Sequence, residues 1–274
     1  MGIINLSKYE LSAFIRRIGL IRAADKLRFY FEYIRTYNIR KSFIDQHPNI
    51  LLPPAYYLYE TFNLNYSAYY YNGMKTANWI AEHFKKYKNL ENANILDWGC
   101  GPGRVIRHLP VYVDKSAHFF GTDYNKNYVT WCAKSIPDIS FQKNELIPPL
   151  LYTDDFFDCI YGISILTHIS ESLHFLWFKE LMRVLKPGGI LFLTLHGDSF
   201  KEKLTLEERK KYDDGHIIIN SHTKEGHRTY GAFHPDKFVK ELIDRHTLLE
   251  HIKGTIINGI PQQDVWIIEK NNFT

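Results

Sequence analysis

"ILDWGCGPGR" (residues 95–104) decides how this chain folds: an apolar run ends on an aspartate, and three glycines follow at every second position. The run reads as a buried strand, and glycines directly after a strand let the backbone turn sharply and come close to a ligand. With Gly99 and Gly101 as the first two glycines of the dinucleotide fingerprint G-x-G-x-x-G, the third belongs at 104; that position is Arg104, and the glycine is Gly103. The departure weighs against a nicotinamide or flavin dinucleotide. Asp123 lies 20 residues beyond Gly103, at the end of the next strand-like run. A carboxylate there is placed to accept hydrogen bonds from the 2′ and 3′ hydroxyls of a ribose, so an adenosine-containing ligand is expected.

Outward from this loop, strands and helices alternate. "ANILDW" (93–98), "HFFGTD" (118–123), "ISFQK" (139–143) and "FFDCIYGIS" (156–164) read as strands. "RVIRHL" (104–109), stopped by Pro110, and "NKNYVTWCAKS" (125–135) read as the helices between them. A helix over about 171–185 carries Leu173, Trp177, Leu181 and Val184 on one side, "KPGG" (186–189) turns the chain, and "ILFLTL" (190–195) is the next strand. The alternation predicts an α/β, doubly wound, parallel sheet that binds its ligand at the carboxyl ends of the strands, near the switch in strand order.

The rest of the chain bounds the class. Its 274 residues, 45% hydrophobic, suffice for one α/β domain with additions. No stretch reaches the roughly 18 uncharged apolar residues of a membrane span, and Arg16, Arg17 and Arg22 interrupt the N-terminal candidate for a signal-peptide core, so a cytoplasmic protein is expected. Cys100, Cys132 and Cys159 form no C-x-x-C pair and read as small core residues in a reducing compartment. Residues 1–41 hold nine Lys/Arg against three acids, a balance of +6, while the remainder carries −2. Leu11, Phe14, Ile15 and Ile18, then Leu27, Phe31 and Ile34, recur at helical spacing with a break near Gly19. Two short helices are expected, either packed on the main domain with a solvated basic face or in peripheral contact with an anionic membrane. After Pro53 and Pro54 comes a tyrosine-dense passage, then a helix over 74–87 and a polar linker near 88–92.

Over roughly residues 50–270 the chain resembles the Rossmann-like S-adenosylmethionine-dependent methyltransferases. "LDWGCGPGR" is similar to their glycine-rich first motif, "GTDYN" to the acidic second, "FQKNELIPPL" to the segment beside adenine, "FDCIYGISILTHISE" to the fourth-strand motif, and "ELMRVLKPGGILFLTLHG" to the helix, turn and fifth strand. "CGPGRVIRHL", "ISILTHISE", "TLHG" and "QQDVWII" resemble more narrowly a branch associated with bacterial glycan (surface polysaccharide) biosynthesis. The resemblance implies a seven-stranded, mostly parallel sheet, with an N-terminal helical extension (1–49), a methyltransferase domain (50–274) and an inserted arm after the fifth strand.

It implies S-adenosyl-L-methionine as cofactor and S-adenosyl-L-homocysteine as product, held by Gly73, Asp97, Gly99, Cys100, Gly101, Gly103, Arg104, Asp123, Tyr124, Asn144, Glu145 and Ile163. The chemistry suits these residue types. Asp97 can pair with the methionine ammonium, and the glycines expose backbone to the methionine moiety. Arg104 either meets the methionine carboxylate or is an exposed first-turn arginine, opposed there by the helix dipole. Asp123 takes the ribose and Tyr124 flanks adenine; Asn144 either bonds the adenine edge or caps a turn before Pro148. Gly73 either approaches the methionine end or simply starts a helix.

Methyl transfer to a hydroxyl needs an aligned acceptor and a base. His196, closing the fifth strand, is the first candidate, and His168, after the fourth, the second; either can instead be an ordinary hydrogen-bonding histidine. Tyr70, Tyr230 and His234 are assigned to the acceptor pocket. His216, His222, His227 and His234, spaced 6, 5 and 7 apart, match no compact ligand motif, so no metal is expected. The function expected is O-methylation of a sugar or sugar-linked group of a surface polysaccharide or its precursor. The alternatives are a methyltransferase for another small molecule and a non-catalytic binding module. Nucleic acid is not expected, because "YGIS" (161–164) lacks the Asn/Asp-Pro-Pro-aromatic signature of base-amino methyltransferases.

Overall fold

The computed structural model describes residues 21–221, 224–227 and 230–272. The main sheet is built from β1 (Asn94–Trp98), β2 (His118–Asp123), β3 (Ile139–Lys143), β4 (Phe157–Ile163) and β5 (Leu185–Leu195). The arm contributes a separate ribbon, β6 (Ile218–Asn220) with β7 (Gly231–Phe233). β8 (Thr247–Ile252), the small hairpin β9 (Ile256–Ile257) and β10 (Ile260–Pro261), and β11 (Asp264–Glu269) complete the strands. The seven-stranded order is β3-β2-β1-β4-β5-β11-β8. β1 to β5 pair in parallel, whereas β11 runs antiparallel to both β5 and β8. The order reverses between β1 and β4, the place expected for a ligand.

The strands are apolar on successive residues because both faces are covered. Leu96, Ile160, Leu191, Leu193, Trp266 and Ile268 belong to one core, and Ile95, Cys159, Tyr161, Ile190, Phe192, Val265 and Ile267 to the other. The helices are α1 (Ile21–Arg35), α2 (Tyr37–Gln46), α3 (Ala55–Phe62), α4 (Gly73–Tyr87), α5 (Lys126–Ser135), α6 (Glu171–Val184), α7 (Leu206–Asp213) and α8 (Asp236–Ile243). α6 lays Leu173, Trp177, Leu181 and Val184 on the first core; α4 lays Ala77, Ile80, Ala81 and Phe84 on the second. All three cysteines are free and buried, as small core residues.

Two local expectations differ. Residues 101–108 form successive turns rather than a helix, followed by a 3-10 turn at Leu109–Val111. Gly101 and Gly103 sit at φ +52° and +72°, left-handed conformations that break a regular helical run at its start. "KPGG" is not a free turn but the opening of β5, where the register against β4 slips between Phe157 and Cys159.

At the N-terminal end, Leu11, Phe14, Ile15 and Ile18 lie outside the described residues. In α1 the outcome is unlike a helix packed by its apolar stripe. Leu27, Phe31 and Ile34 are 71%, 64% and 76% exposed, and Phe29 instead packs on the cluster formed by Phe43, Leu58, Tyr59, Leu64, Tyr66 and Tyr69. The tyrosine-dense passage thus supplies packing, with the Tyr69 hydroxyl donating to the Pro102 carbonyl at 2.7 Å. No helix among the described residues is long and apolar enough to cross a membrane.

Candidate active site

A cavity of about 410 Å³ opens at the carboxyl ends of β1, β2 and β4, beside the switch point. Its walls include Asp97, Gly99, Cys100, Gly101, Arg104, Asp123, Tyr124, Asn144, Glu145, Ile163 and His168, brought together from four separate stretches of chain. Gly226 and His227 of the arm lie across it. The Tyr124 hydroxyl donates to the Gly226 carbonyl and the Gly226 N–H to the His168 carbonyl, each at 2.8 Å, so the arm closes on both walls.

Two buried carboxylates face this space. Asp123 is 6% exposed and accepts from the Gly101 N–H at 2.9 Å and the Asn125 N–H at 2.7 Å. Burial pushes its pKa up to about 6, against the pull of these two donors. Asp97, next to Tyr161 in the β1–β4 register, accepts from the Tyr161 hydroxyl at 2.8 Å. Burial raises it to about 7, opposed by that bond and by Arg104. Arg104 is half-buried in the wall, donates to Thr76 Oγ1 at 3.2 Å, and is depressed by burial. It is no exposed first-turn arginine.

Asn144 donates through Nδ2 to the Glu145 carbonyl at 2.7 Å, and its buried Oδ1 has no partner. An orphaned acceptor in a cavity wall is a place for a ligand donor such as an exocyclic amine. The lining holds Glu60, Asp97, Asp123 and Glu145 against Arg104. Four carboxylates against one guanidinium suit a cation and oppose a pyrophosphate. These residues therefore fit S-adenosylmethionine, with its sulfonium and ammonium, better than a dinucleotide.

Several assigned residues stand elsewhere. A Cβ on Gly73 would lie 2.3 Å from the Arg104 carbonyl oxygen, so Gly73 lets α4 approach the glycine loop. A Cβ on Gly103 would lie 2.4 Å from Ile136 Cδ1, so it too serves packing, against the end of α5. Tyr70 packs edge-on to His108, at 4.6 Å between centroids, and is not a cavity wall. Tyr230 and His234 are buried outside the lining. His234 is bonded Nε2 to Nε2 with His174 at 2.8 Å. His222 lies outside the described residues.

The two candidate bases are placed differently. His168 lines the cavity; His196 does not, and stacks on Phe200 at 4.1 Å. The rings share one device: His168 Nδ1 lies 2.9 Å from the Tyr230 carbonyl and His196 Nδ1 3.0 Å from the Ala232 carbonyl. A carbonyl can only accept, so each Nδ1 carries a proton and donates it to the arm. Burial, with His168 nearby, holds His196 down to about 3, which makes it a weak base.

Glu60, Tyr128, Ser164, Ile165 and Trp177 also line the cavity and were not singled out by sequence. Ser164 and Ile165 carried a signal, inside the fourth-strand motif; Glu60, Tyr128 and Trp177 reach the site by tertiary packing. Asp236, His251 and Asp264 bring one polar atom each within 4.8 Å of one another, away from this cavity. Lys253 at 3.0 Å from Asp236, and the 2.9 Å bond from His251 to Asp264, already partner them.

Residues 95–189 match the family model for a methyltransferase domain. A tRNA (carboxymethyluridine(34)-5-O)-methyltransferase from Arabidopsis thaliana is 30% identical over 102 residues, 37% of this chain and 23% of that protein. A sterol 24-C-methyltransferase from Aspergillus fumigatus is 30% identical over 104 residues, 36% of this chain and 27% of that protein. The chain thus spans about a quarter of the length of these relatives. A solved S-adenosylmethionine-dependent methyltransferase from Methanosarcina mazei aligns with a TM-score of 0.54 at 21% identity, covering 70% of this chain and 98% of that one. The fold is shared.

Proposed function

We propose that this chain, which carries a methyltransferase domain of the Rossmann-like, S-adenosylmethionine-dependent class, methylates a hydroxyl oxygen of a sugar or sugar-linked acceptor. The observation that carries the reading is the place of His168, tethered through Nδ1 to the Tyr230 carbonyl, in the wall of a cavity that also holds Asp97 and Asp123. When bound, the cofactor supplies an electrophilic methyl group. Asp97 and Arg104 suit its amino-acid end, Asp123 the ribose and Asn144 the adenine edge. The acceptor hydroxyl is held in line, and His168 Nε2 takes its proton. His196, tethered to the Ala232 carbonyl of β7, stands outside the lining as a support.

An oxygen acceptor accords with an imidazole tethered in the cavity wall, and the Arabidopsis relative is by name an O-methyltransferase. The sugar is supported by the resemblance of "ISILTHISE" and "TLHG" to the glycan-associated branch. The test is transfer of labelled methyl to a panel of nucleotide sugars, lipid-linked sugars, sterols and tRNA. Labelling of tRNA or sterol alone would overturn the sugar assignment, and binding without transfer to any acceptor would leave a non-catalytic module.

Peripheral contact with an anionic membrane through residues 1–41 belongs to the same reading. Its support is the exposed stripe Leu27, Phe31 and Ile34 within a segment of net charge +6. Sedimentation with phosphatidylserine vesicles, lost on raising salt, tests it.

A further inference from the structure

The turn that presents His168 is held by a closed circuit of hydrogen bonds that begins and ends on Ser164. The Ser164 N–H donates to Thr194 Oγ1 at 2.9 Å, and the Thr194 hydroxyl donates to Gln263 Oε1 at 2.6 Å. Gln263 Nε2 donates to Ser164 Oγ at 2.7 Å. The Thr167 hydroxyl donates to the Ser164 carbonyl at 2.6 Å, so its single proton is used. The 2.7 Å contact between the Ser164 and Thr167 hydroxyls therefore has Ser164 as donor. Turning the Gln263 amide over would leave the Thr194 proton without an acceptor. Every direction in the circuit is fixed.

Ser164 needs such restraint. It sits at φ +62°, a left-handed conformation unfavourable for serine, directly after β4. Residues Leu166–His168 form the 3-10 turn that follows, and Ser164, Ile165 and His168 all line the cavity. Gln263 reaches this point from the chain just before β11, remote in sequence, while Thr194 comes from β5. Simple packing would not require an amide there, since a methionine fills similar volume.

We propose that Gln263, with Thr194, is a positioning residue: through Ser164 and Thr167 it fixes the turn that aims His168 at the acceptor. The inference rests on the methyl-transfer reading of the cavity. It deepens that reading by assigning a role to the "QQDVWII" segment (262–268).

The test compares full-length wild type with Gln263→Met, Thr194→Val and Thr194→Ser, all bound to S-adenosylmethionine. Thr194→Val keeps the shape and removes the hydroxyl; Thr194→Ser restores it. Expected for the first two variants are amide exchange of residues 164–168 at least ~10-fold faster, a displaced His168 imidazole resonance, and kcat at least ~10-fold lower, with cofactor Kd within about twofold of wild type. Thr194→Ser should resemble wild type in all four. Exchange, resonance and kcat unchanged in both Gln263→Met and Thr194→Val would overturn the proposal, as would cofactor affinity falling in step with kcat. Should wild type methylate no acceptor, the transfer reading fails by itself; exchange and the His168 resonance then decide the circuit alone, and unchanged values reject it.

Discussion

The backbone N–H of Gly101 donates to Oδ2 of Asp123 at 2.9 Å, so the carboxylate that closes β2 also holds the glycine loop that follows β1. The left-handed φ of Gly101, +52°, points its missing side chain into open space, which leaves the loop bare toward the cavity. Asp123→Ala therefore removes a ribose acceptor and loosens the loop together. Calorimetry should show S-adenosylmethionine affinity lowered by at least ~10-fold, while circular dichroism shows an intact fold.

Cofactor affinity should rise with pH. Burial holds Asp123 at about 6 and Asp97 at about 7, so both are partly protonated in weak acid. Pairing with an ammonium and with ribose hydroxyls requires the ionised forms, so binding expels those protons. Between pH 8 and pH 5 affinity should fall, by up to ~10-fold per pH unit for each proton expelled. Titrations in buffers of different ionisation enthalpy count the protons, and a pH-independent affinity with no release would contradict the placement of these carboxylates.

His168→Ala should lower kcat by at least ~10², with cofactor Kd nearly unchanged. His196→Ala should do less, because its ring lies behind the cavity lining. With His196 held at about 3, an acid limb near its ordinary value of ~6.5 is not expected from that residue. Loss of the greater rate in His196→Ala would reverse the order.

Acid should destabilise the fold well above the usual carboxylate range. Burial holds His108 and His174 at about 4 and His196 at about 3, with His234 also well below its ordinary value. Depressed histidines bind protons when the chain unfolds, so their stabilisation is lost as pH falls below ~6.5. Asp97 and Asp123, raised by burial, act in the opposite sense between ~4 and about 7. Four groups outweigh two, so the melting temperature should drop from pH 7 to pH 5. His234→Gln should flatten that slope, and a flat slope in wild type would contradict the buried neutral histidines.

Much of this was legible because local pattern and tertiary structure agree. Alternating apolar runs mark β1 to β5, and Gly99, Gly101, Asp97 and Asp123 meet at one cavity because their spacing follows strand ends. Gly73 and Gly103 lie outside the cavity lining, where close approach to the Arg104 backbone and to the Ile136 side chain favours glycine as strongly as ligand approach does. His196 was ranked first from its place at a strand end, but the stack on Phe200 and the arm decide where its ring lies. Gln263 and Thr194 meet Ser164 only once β11 is inserted beside β5, and nothing local in the sequence records that contact.

Equilibrium binding to wild-type protein tests the central claim most directly. Isothermal titration at pH 7.5 should show S-adenosylmethionine and S-adenosylhomocysteine each filling one site with a Kd below ~100 μM, and no measurable heat from NADH or NADPH. Absence of binding by both adenosyl ligands, or tighter binding of a dinucleotide, would contradict the account.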